Sequence, residues 1–161
     1  MENQNNIIKA NSQQKTILAV WNAGEKGKTE SLRQFANNLL LTYPTHTPIL
    51  PIPANVPANG DFRLVVEIGG IIIGIESQGD PKTNLRNRLI DLVTKFNCDI
   101  IVCTCRTRGE TVAAVENIRI TYGFQTIWTS TYQIEDRTQH NLVNNLKGQH
   151  ILDLLQNLRL I

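Results

Sequence analysis

Residues 16–40 have the sequence TILAVW-NAGEKGKT-ESLRQFANNLL, in which an apolar run, a loop with two glycines and a helical pattern follow one another. The run from Ile17 to Trp21 is unbroken, as is typical of a parallel strand buried on both faces. After Thr29 the apolar side chains recur on one helical stripe, at Leu32, Phe35, Ala36, Leu39 and Leu40. The stretch therefore predicts a strand, a short loop and a helix.

The loop between the predicted strand and helix has the features of a phosphate-binding site. Backbone N–H groups near Gly24 to Lys28 can point inward at a phosphate, and the helix N-terminus adds the positive end of its dipole. Lys28 would neutralise the β- and γ-phosphates, and the hydroxyl of Thr29 would be offered to Mg²⁺. The residues expected to contact the nucleotide are Asn22, Ala23, Gly24, Glu25, Lys26, Gly27, Lys28, Thr29 and Glu30.

The eight residues Asn22–Thr29 resemble the motif G-x-x-x-x-G-K-[ST] of the P-loop NTPase superfamily. Asn22 stands where the first glycine of the motif is expected, and Asn is the non-glycine residue that best tolerates a left-handed backbone. The wider resemblance lies in the order of elements and covers most of the chain, with less specificity. It implies a protein that binds Mg²⁺ together with ATP or GTP, of which ATP is favoured.

The remaining sequence predicts the element order β-α-β-β-α-β-α-β-α. Two β-rich runs flank Gly69-Gly70, which is a strong hairpin signal. The order predicts a three-layer α/β/α sandwich with a mostly parallel sheet of about five strands, one of them an antiparallel hairpin strand. Residues 1–14 are expected to form a flexible tail and residues 15–161 a single domain. Residues 43–60, which contain five of the six prolines, are expected to form a long irregular loop.

The ends of several helices are predicted from capping residues. Asp80 is expected to cap the helix that follows it, with Pro81 at the first helical position. Thr107 and Glu110 have the spacing of a capping box, so a helix is expected to begin near Arg108. Gly148 is expected to interrupt the last helix, which is predicted over residues 138–158.

Four polar residues that follow predicted strands complete the candidate site. Glu76 ends the apolar run IIIGIE and is the first choice for a carboxylate near Mg²⁺, with Asp80 second. Arg106 and Arg108 follow the next strand and could stabilise charge on a transferred phosphoryl group. Ligands in such sheets bind outside the carboxyl ends of the strands, where these residues should converge. The sequence thus predicts Lys28, Glu76, Arg106 and Arg108 as catalytic residues, and Thr29, Glu76 and Asp80 as metal ligands.

The composition limits the class of protein and its partners. The net charge is +2, so neither nucleic acid nor an anionic membrane is indicated as a partner. Hydrophobic residues make up 41% of the chain, and no stretch is long and apolar enough to span a bilayer. The first residues have neither a basic region nor an apolar region of a secretory signal, so a cytoplasmic protein is expected. The odd number of cysteines, three, predicts buried, reduced thiols.

Three kinds of P-loop protein remain open as alternatives. The first is a small kinase or hydrolytic ATPase, favoured by the size of the chain, by Arg106-Thr-Arg108 after a strand, and by a loop that could hold a small-molecule phosphate acceptor. The second is a GTPase-like switch, since Glu76-Ser77-Gln78-Gly79 stands in the place of D-x-x-G, although the guanine-reading motif N-K-x-D is absent. The third is a partitioning ATPase, whose signature lysine is replaced here by Ala23.

A non-enzymatic function is also open. The replacement of the first glycine by Asn22 and of Asp by Glu76 would suit a catalytically weak module that binds nucleotide and interacts with a protein partner. A homo-oligomer is compatible with the sequence. Our leading expectation is a kinase-like or hydrolytic enzyme that acts on a nucleoside triphosphate.

Overall fold

The computed structural model describes residues 13–161, so most of the predicted tail at residues 1–14 lies outside the described residues. The strands are β1 (Thr16–Trp21), β2 (Thr47–Leu50), β3 (Arg63–Ile68), β4 (Ile71–Glu76), β5 (Ile100–Cys105) and β6 (Gln125–Thr129). The helices are α1 (Lys28–Thr42), α2 (Leu85–Thr94), α3 (Glu110–Tyr122) and α4 (His140–Asn157), with a 3₁₀ turn at Arg137–Gln139 before α4. Within this part of the chain, none of the helices combines the length and apolarity needed to cross a bilayer.

The six strands form one sheet in the order β2-β3-β4-β5-β1-β6. Strands β4, β5, β1 and β6 are parallel, whereas β3 is antiparallel to both of its neighbours. The predicted α/β sandwich with a mostly parallel sheet and one antiparallel hairpin strand is confirmed. The sheet has one strand more than expected, because β2 lies inside residues 43–60, which were predicted to be irregular. Pro48 is tolerated in β2 because an edge strand needs hydrogen bonds on one side only.

Strand β1 is buried on both faces, as its apolar run predicts. Leu18 and Val20 belong to the core between the sheet and the pair α1 and α4. Ile17 and Ala19 belong to the core between the sheet and the pair α2 and α3. This alternation follows from the period of two along a strand, and it shows that helices cover β1 on both faces of the sheet.

The three cysteines, Cys98, Cys103 and Cys105, are buried and free. Burial raises the pKa of the Cys98 thiol and of the Cys105 thiol to about 12, and raises the pKa of Cys103 as well. The thiols therefore stay protonated near neutral pH and act as small apolar side chains of the core.

Two predicted helix caps are wrong, because their side chains are used in contacts between distant segments. Helix α2 begins at Leu85 after Asn84, and the carboxylate of Asp80 instead accepts a hydrogen bond from Arg106. Helix α3 begins at Glu110 itself, and the Glu110 carboxylate accepts from the backbone N–H of Lys82. Local capping rules do not include such contacts across the fold.

Gly148 does not interrupt α4, which continues through it without a break. A Cβ atom at this position would lie 2.6 Å from the backbone nitrogen of Phe35 and 2.8 Å from the carbonyl carbon of Gln34. The glycine therefore allows α4 to pack closely against α1. The same sequence feature that was interpreted as a break in the helix is a contact point between two helices.

Candidate functional site

The loop between β1 and α1 has two left-handed residues before the helix. Gly27 has a φ of 78° and directly precedes Lys28, and Glu25 has a φ of 54°. Asn22, for which left-handed tolerance was expected, does not have a positive φ. Its amide instead donates from Nδ2 to the hydroxyl of Thr131 at 2.8 Å, and its Oδ1 accepts from the N–H of Ala23 at 2.7 Å. Asn22 thus links the loop to the segment after β6.

Lys28 lies almost entirely inside the loop, with 7% of its surface exposed. Its ammonium donates to the carbonyl oxygens of Asn22 at 3.2 Å and Ala23 at 2.6 Å. Burial lowers the pKa of Lys28, and the carboxylate of Asp80 partly opposes this effect. The ammonium of Lys28 and the positive end of the α1 dipole therefore lie close together. Both favour the binding of an anion at this place.

Three oxygen-bearing side chains meet beside Lys28. The hydroxyls of Thr29 and Ser77 each donate to Oδ1 of Asp61, both at 3.1 Å. Carboxylate and hydroxyl oxygens are hard ligands of the kind that Mg²⁺ prefers. Within residues 13–161, no cluster of three or more His, Cys, Asp or Glu side chains is placed to hold a metal ion.

Asp61 is a residue that the sequence analysis missed. It precedes β3, whereas Glu76, Asp80, Arg106 and Arg108 all follow strands. Because β3 is antiparallel to β4, Arg63 at the start of β3 pairs with Glu76 at the end of β4. The start of β3 therefore lies at the same edge of the sheet as the carboxyl ends of the parallel strands. The predicted hairpin was the signal from which this position could have been found.

The segment after β4 crosses over the end of β5 to reach the loop after β1. The hydroxyl of Thr104 donates to the carbonyl oxygen of Ser77 at 2.5 Å. A Cβ at Gly79 would lie 1.9 Å from the carbonyl oxygen of Thr104, so only glycine fits this crossing. The crossing carries Asp80 to Arg106, whose Nε donates to Asp80 Oδ1 at 2.8 Å.

These groups surround a cavity of about 280 Å³ at the N-terminus of α1. Its walls are formed by Glu25, Lys26, Gly27, Lys28, Thr29, Glu30, Asp61, Ser77, Asp80 and Thr104. Six of the nine expected nucleotide contacts and the expected metal ligand Asp80 are thus brought together. Ala23 contributes the carbonyl that holds Lys28, and Gly24 lies against the guanidinium of Arg106.

A second cavity, of about 400 Å³, lies on the other side of the same loop. Its lining residues are Glu25, Lys26, Gln133, Ile134, Glu135, Arg137 and His140. Gln133 donates from Nε2 to the carbonyl oxygen of Lys26 at 2.8 Å, which ties the segment after β6 to the loop. The two cavities share Glu25 and Lys26 and form neighbouring parts of one surface.

Glu76, expected as the main metal ligand, is not placed at the cavity. Its carboxylate is fully buried and pairs with Arg63 Nε at 2.7 Å and with Arg88 at 3.2 Å. Arg63 is the residue opposite Glu76 in the β3–β4 register, so the pair follows from the strand pairing itself. With two guanidinium groups on its oxygens, Glu76 is occupied by a structural role, and the expected catalytic and metal-binding roles are corrected accordingly.

The two arginines of the sequence Arg106-Thr-Arg108 have different surroundings. Arg106 is held by Asp80 beside the cavity, as described above. Arg108 is exposed, and within the described residues its side chain makes no hydrogen bond or ion pair. It does not line the cavity of the loop. The structure therefore places Arg106, and not Arg108, at the candidate site.

Comparisons of the chain with protein-family models, with curated proteins and with solved structures returned no match. The geometry of the loop and of its cavity is thus the basis for a functional proposal.

Proposed function

We propose that the protein binds a nucleoside triphosphate with Mg²⁺ and transfers its terminal phosphoryl group to water or to a small acceptor. One observation carries the proposal: the buried ammonium of Lys28 lies at the N-terminus of α1, on the wall of a cavity that also contains Thr29, Asp61 and Asp80. A cation, a helix N-terminus, a hydroxyl and carboxylates are together the groups that a metal–triphosphate ligand requires.

The phosphates would occupy the cavity beside Lys28. The first N–H groups of a helix have no partner within the helix, so those at the start of α1 are available to phosphate oxygens. Lys28 now donates to two loop carbonyls, and phosphate oxygens would be stronger acceptors for the same ammonium. Arg106 lies against Gly24 and would supply a second cation near the phosphates.

The oxygen ligands beside Lys28 fit Mg²⁺. Thr29, Asp61 and Asp80 would hold the ion, and Ser77 supports Asp61 through its hydrogen bond. This set is small, as is usual for Mg²⁺, which binds one or two carboxylates and completes its shell with water and phosphate oxygens. Bound there, Mg²⁺ would supply positive charge that neutralises the phosphates.

The nucleoside would extend from the first cavity into the second. A volume of about 280 Å³ is at the lower limit of small-molecule sites, and the neighbouring cavity of about 400 Å³ provides the remaining space. The shared residues Glu25 and Lys26 would then lie between the phosphates and the base. ATP is our first choice of nucleotide and GTP the second.

We further propose a cytoplasmic location, which the buried, free cysteines support.

Among the alternatives, a kinase-like or hydrolytic ATPase is best supported by the position of Arg106. A GTPase-like switch loses its main support, because Glu76, in the place of the D-x-x-G aspartate, is engaged by Arg63 and Arg88. The second candidate function is a nucleotide-binding interaction module with weak activity. It is favoured by the Arg106–Asp80 ion pair, in which two of the charged groups of the site neutralise each other.

Calorimetric titration of ATP and of GTP, each with and without Mg²⁺, tests the proposal directly. We expect Mg²⁺-dependent binding of one nucleotide to the wild type, and binding weaker by at least about 100-fold in Lys28→Ala, because charge-assisted hydrogen bonds to phosphate are lost. Lys95→Ala, at an exposed lysine beyond α2, is the matched control and should bind like the wild type. Equal affinity of a folded Lys28→Ala variant and the wild type would refute the proposed site.

A further inference from the structure

One flank of α4, continued by Leu158 directly after the helix, exposes a leucine-rich ridge, which we define as Leu142, Leu146, His150, Leu154 and Leu158. Successive members are four residues apart. Residues with this spacing lie side by side on a helix and form one continuous row. All five side chains of the α4 ridge are exposed, so the row faces away from the core of the molecule.

The exposed surface of α4 lacks the charged side chains that a helix in contact with water usually has. The helix contains only two charged residues, Lys147 and Asp153. Lys147 is buried and donates to the hydroxyl of Thr129, and Asp153 accepts a hydrogen bond from Gln149. A neutral, leucine-rich surface of this kind has the composition of the centre of a protein interface, where charged residues are depleted.

The α4 ridge lies beside the outer edge of β6. Lys147 contacts Thr129 at the end of β6, and the Tyr132 hydroxyl lies 2.6 Å from Nδ1 of His150. These contacts place the flank of α4 that carries the ridge above the edge of the sheet. Within residues 13–161, β6 pairs with β1 alone, so its other edge has no strand partner. The open strand edge and the ridge therefore form one continuous surface.

The two edge strands of the sheet, β2 and β6, differ in how readily they can pair with a strand from another chain. The opposite edge, β2, contains Pro48 and has an irregular register between Pro48 and Leu50, and both features disfavour pairing. Strand β6 has the sequence Gln-Thr-Ile-Trp-Thr, without a proline or a charged residue. An edge of this kind favours the addition of another strand. Its partner should therefore offer both a strand and an apolar helix surface.

We propose that this partner is a second copy of the chain, joined through β6 and α4 about a two-fold axis. A two-fold axis requires only that each contact between two residues occurs twice, and antiparallel packing of two α4 ridges centred on His150 satisfies this. His150 then lies near its equivalent in the second copy, and Leu146 packs near Leu154 of the second copy on either side of it. A neutral surface can meet itself without repulsion between like charges, and the two β6 strands pair to extend the sheet from one copy into the next.

The size of the surface suits such a dimer. An 18-residue helix is about 27 Å long, and a helix beside a strand edge is roughly 20 Å wide, which gives a projected area of roughly 500 Å². The relief of the side chains adds to this area and brings it near the value of about 800 Å² that each partner of a standard interface buries. The proposal does not rest on nucleotide binding.

Light scattering coupled to size-exclusion chromatography, or sedimentation velocity, tests the dimer on the full chain. The wild type should have twice the 18.1 kDa mass of one chain. The double variant Leu146→Glu/Leu154→Glu should be monomeric, because the two-fold axis brings the introduced carboxylates together. Leu41→Glu, at a leucine of α1 that is 79% exposed and outside the ridge, should remain dimeric. Circular dichroism establishes that each variant is folded.

A second double variant tests the antiparallel arrangement itself. In Leu146→Lys/Leu154→Glu, the ammonium introduced at position 146 of one copy faces the carboxylate introduced at position 154 of the other, so the dimer should be restored. A wild type that is monomeric at the highest concentration reached would overturn the proposal. So would a dimeric Leu146→Glu/Leu154→Glu variant, or a Leu146→Lys/Leu154→Glu variant that stays monomeric.

Discussion

Arg106 connects two loops that come from different strands, since its Nε donates to Asp80 after β4 while its guanidinium lies against Gly24 after β1. The hydrogen bond to Asp80 is 2.8 Å long, and a Cβ at Gly24 would lie 2.7 Å from a guanidinium nitrogen. A cation is thus held over the proposed phosphate loop by a carboxylate that lines the cavity. Phosphate oxygens entering the cavity would compete with Asp80 for hydrogen bonds from the guanidinium group of Arg106.

The first prediction concerns the role of Arg106. In the Arg106→Ala variant we expect nucleotide-dependent phosphate release to fall by about 100-fold or more at saturating nucleotide, because the cation that balances charge on the transferred group is removed. The free energy of unfolding should change by less than about 1 kcal/mol, since both members of the ion pair are partly exposed. Initial rates and urea unfolding curves measure the two effects.

Arg119→Ala is the matched control for this prediction, because Arg119 also forms a partly exposed ion pair, with Glu116 on α3. It should leave both the rate and the stability unchanged. An Arg106→Ala variant with the wild-type rate would show that Arg106 has no part in phosphoryl transfer.

The second prediction separates the roles of Asp61 and Glu76. Asp61→Asn keeps an acceptor for Thr29 and Ser77 but removes the charge, so the Mg²⁺ concentration needed for half-maximal nucleotide binding should rise about tenfold or more. Glu76→Gln should leave this concentration unchanged. It should instead lower the free energy of unfolding by about 3 kcal/mol, because Arg63 and Arg88 lose their buried counter-charge.

Magnesium titrations at fixed nucleotide and urea unfolding of both variants provide the measurement. The opposite assignment, with Glu76→Gln raising the Mg²⁺ requirement of a protein of normal stability, would restore Glu76 as the metal ligand and remove Asp61.

The contrast between Glu76 and Asp61 shows which part of the site the sequence can predict. The apolar run before Glu76 predicts correctly that β4 ends there at the same edge as the loop. It does not predict the direction of the side chain, which depends on the strand register that sets Arg63 opposite Glu76. Asp61 is remote from the loop in sequence, and its contact with Thr29 exists only because β3 is antiparallel.

The fold was more accessible to prediction than the site, because it depends on strong local patterns. The period of the apolar residues places β1 and α1, and Gly69-Gly70 places the turn between β3 and β4. Strand β2 escaped prediction because its proline-containing sequence has little intrinsic strand preference. It is stabilised by its pairing with β3, which is a contact between segments.

The third prediction tests the packing of α4 against α1. Alanine is favoured over glycine in a helix by about 1 kcal/mol. In Gly148→Ala, however, the new Cβ would lie 2.6 Å from the backbone nitrogen of Phe35, and backbone atoms cannot move aside as a flexible side chain can. We expect a net loss of about 1 to 2 kcal/mol in the free energy of unfolding, measured by urea denaturation.

Asn145→Ala, on the exposed side of the same helix, is the control and should be neutral or slightly stabilising. A Gly148→Ala variant that is more stable than the wild type would mean that the two helices are free to separate at this point.

The fourth prediction follows from the lowered pKa of Lys28. Burial is the main cause of this shift from the ordinary value of 10.5, so between the two pKa values the unfolded chain binds more protons than the folded one. The contribution of Lys28 to stability therefore increases as the pH rises through this window, and is least favourable below the pKa of the folded state.

Lys28→Met removes the buried charge. We expect the variant to be more stable than the wild type at about pH 7, and the difference to shrink at about pH 10.

The difference between the two proteins is the quantity to measure, by urea unfolding across this pH range. The raised pKa values of Cys98, Cys103 and Cys105 make both proteins less stable above the ordinary thiol pKa of 9.0. The contributions of Cys98 and Cys103 cancel in the difference, whereas that of Cys105, whose pKa the Lys28 charge lowers, cancels only in part. Lys147, whose pKa burial also lowers, is present in both proteins, and its contribution cancels as those of Cys98 and Cys103 do. A variant less stable than the wild type at about pH 7 would show that the hydrogen bonds of Lys28 to Asn22 and Ala23 outweigh the cost of burying its charge.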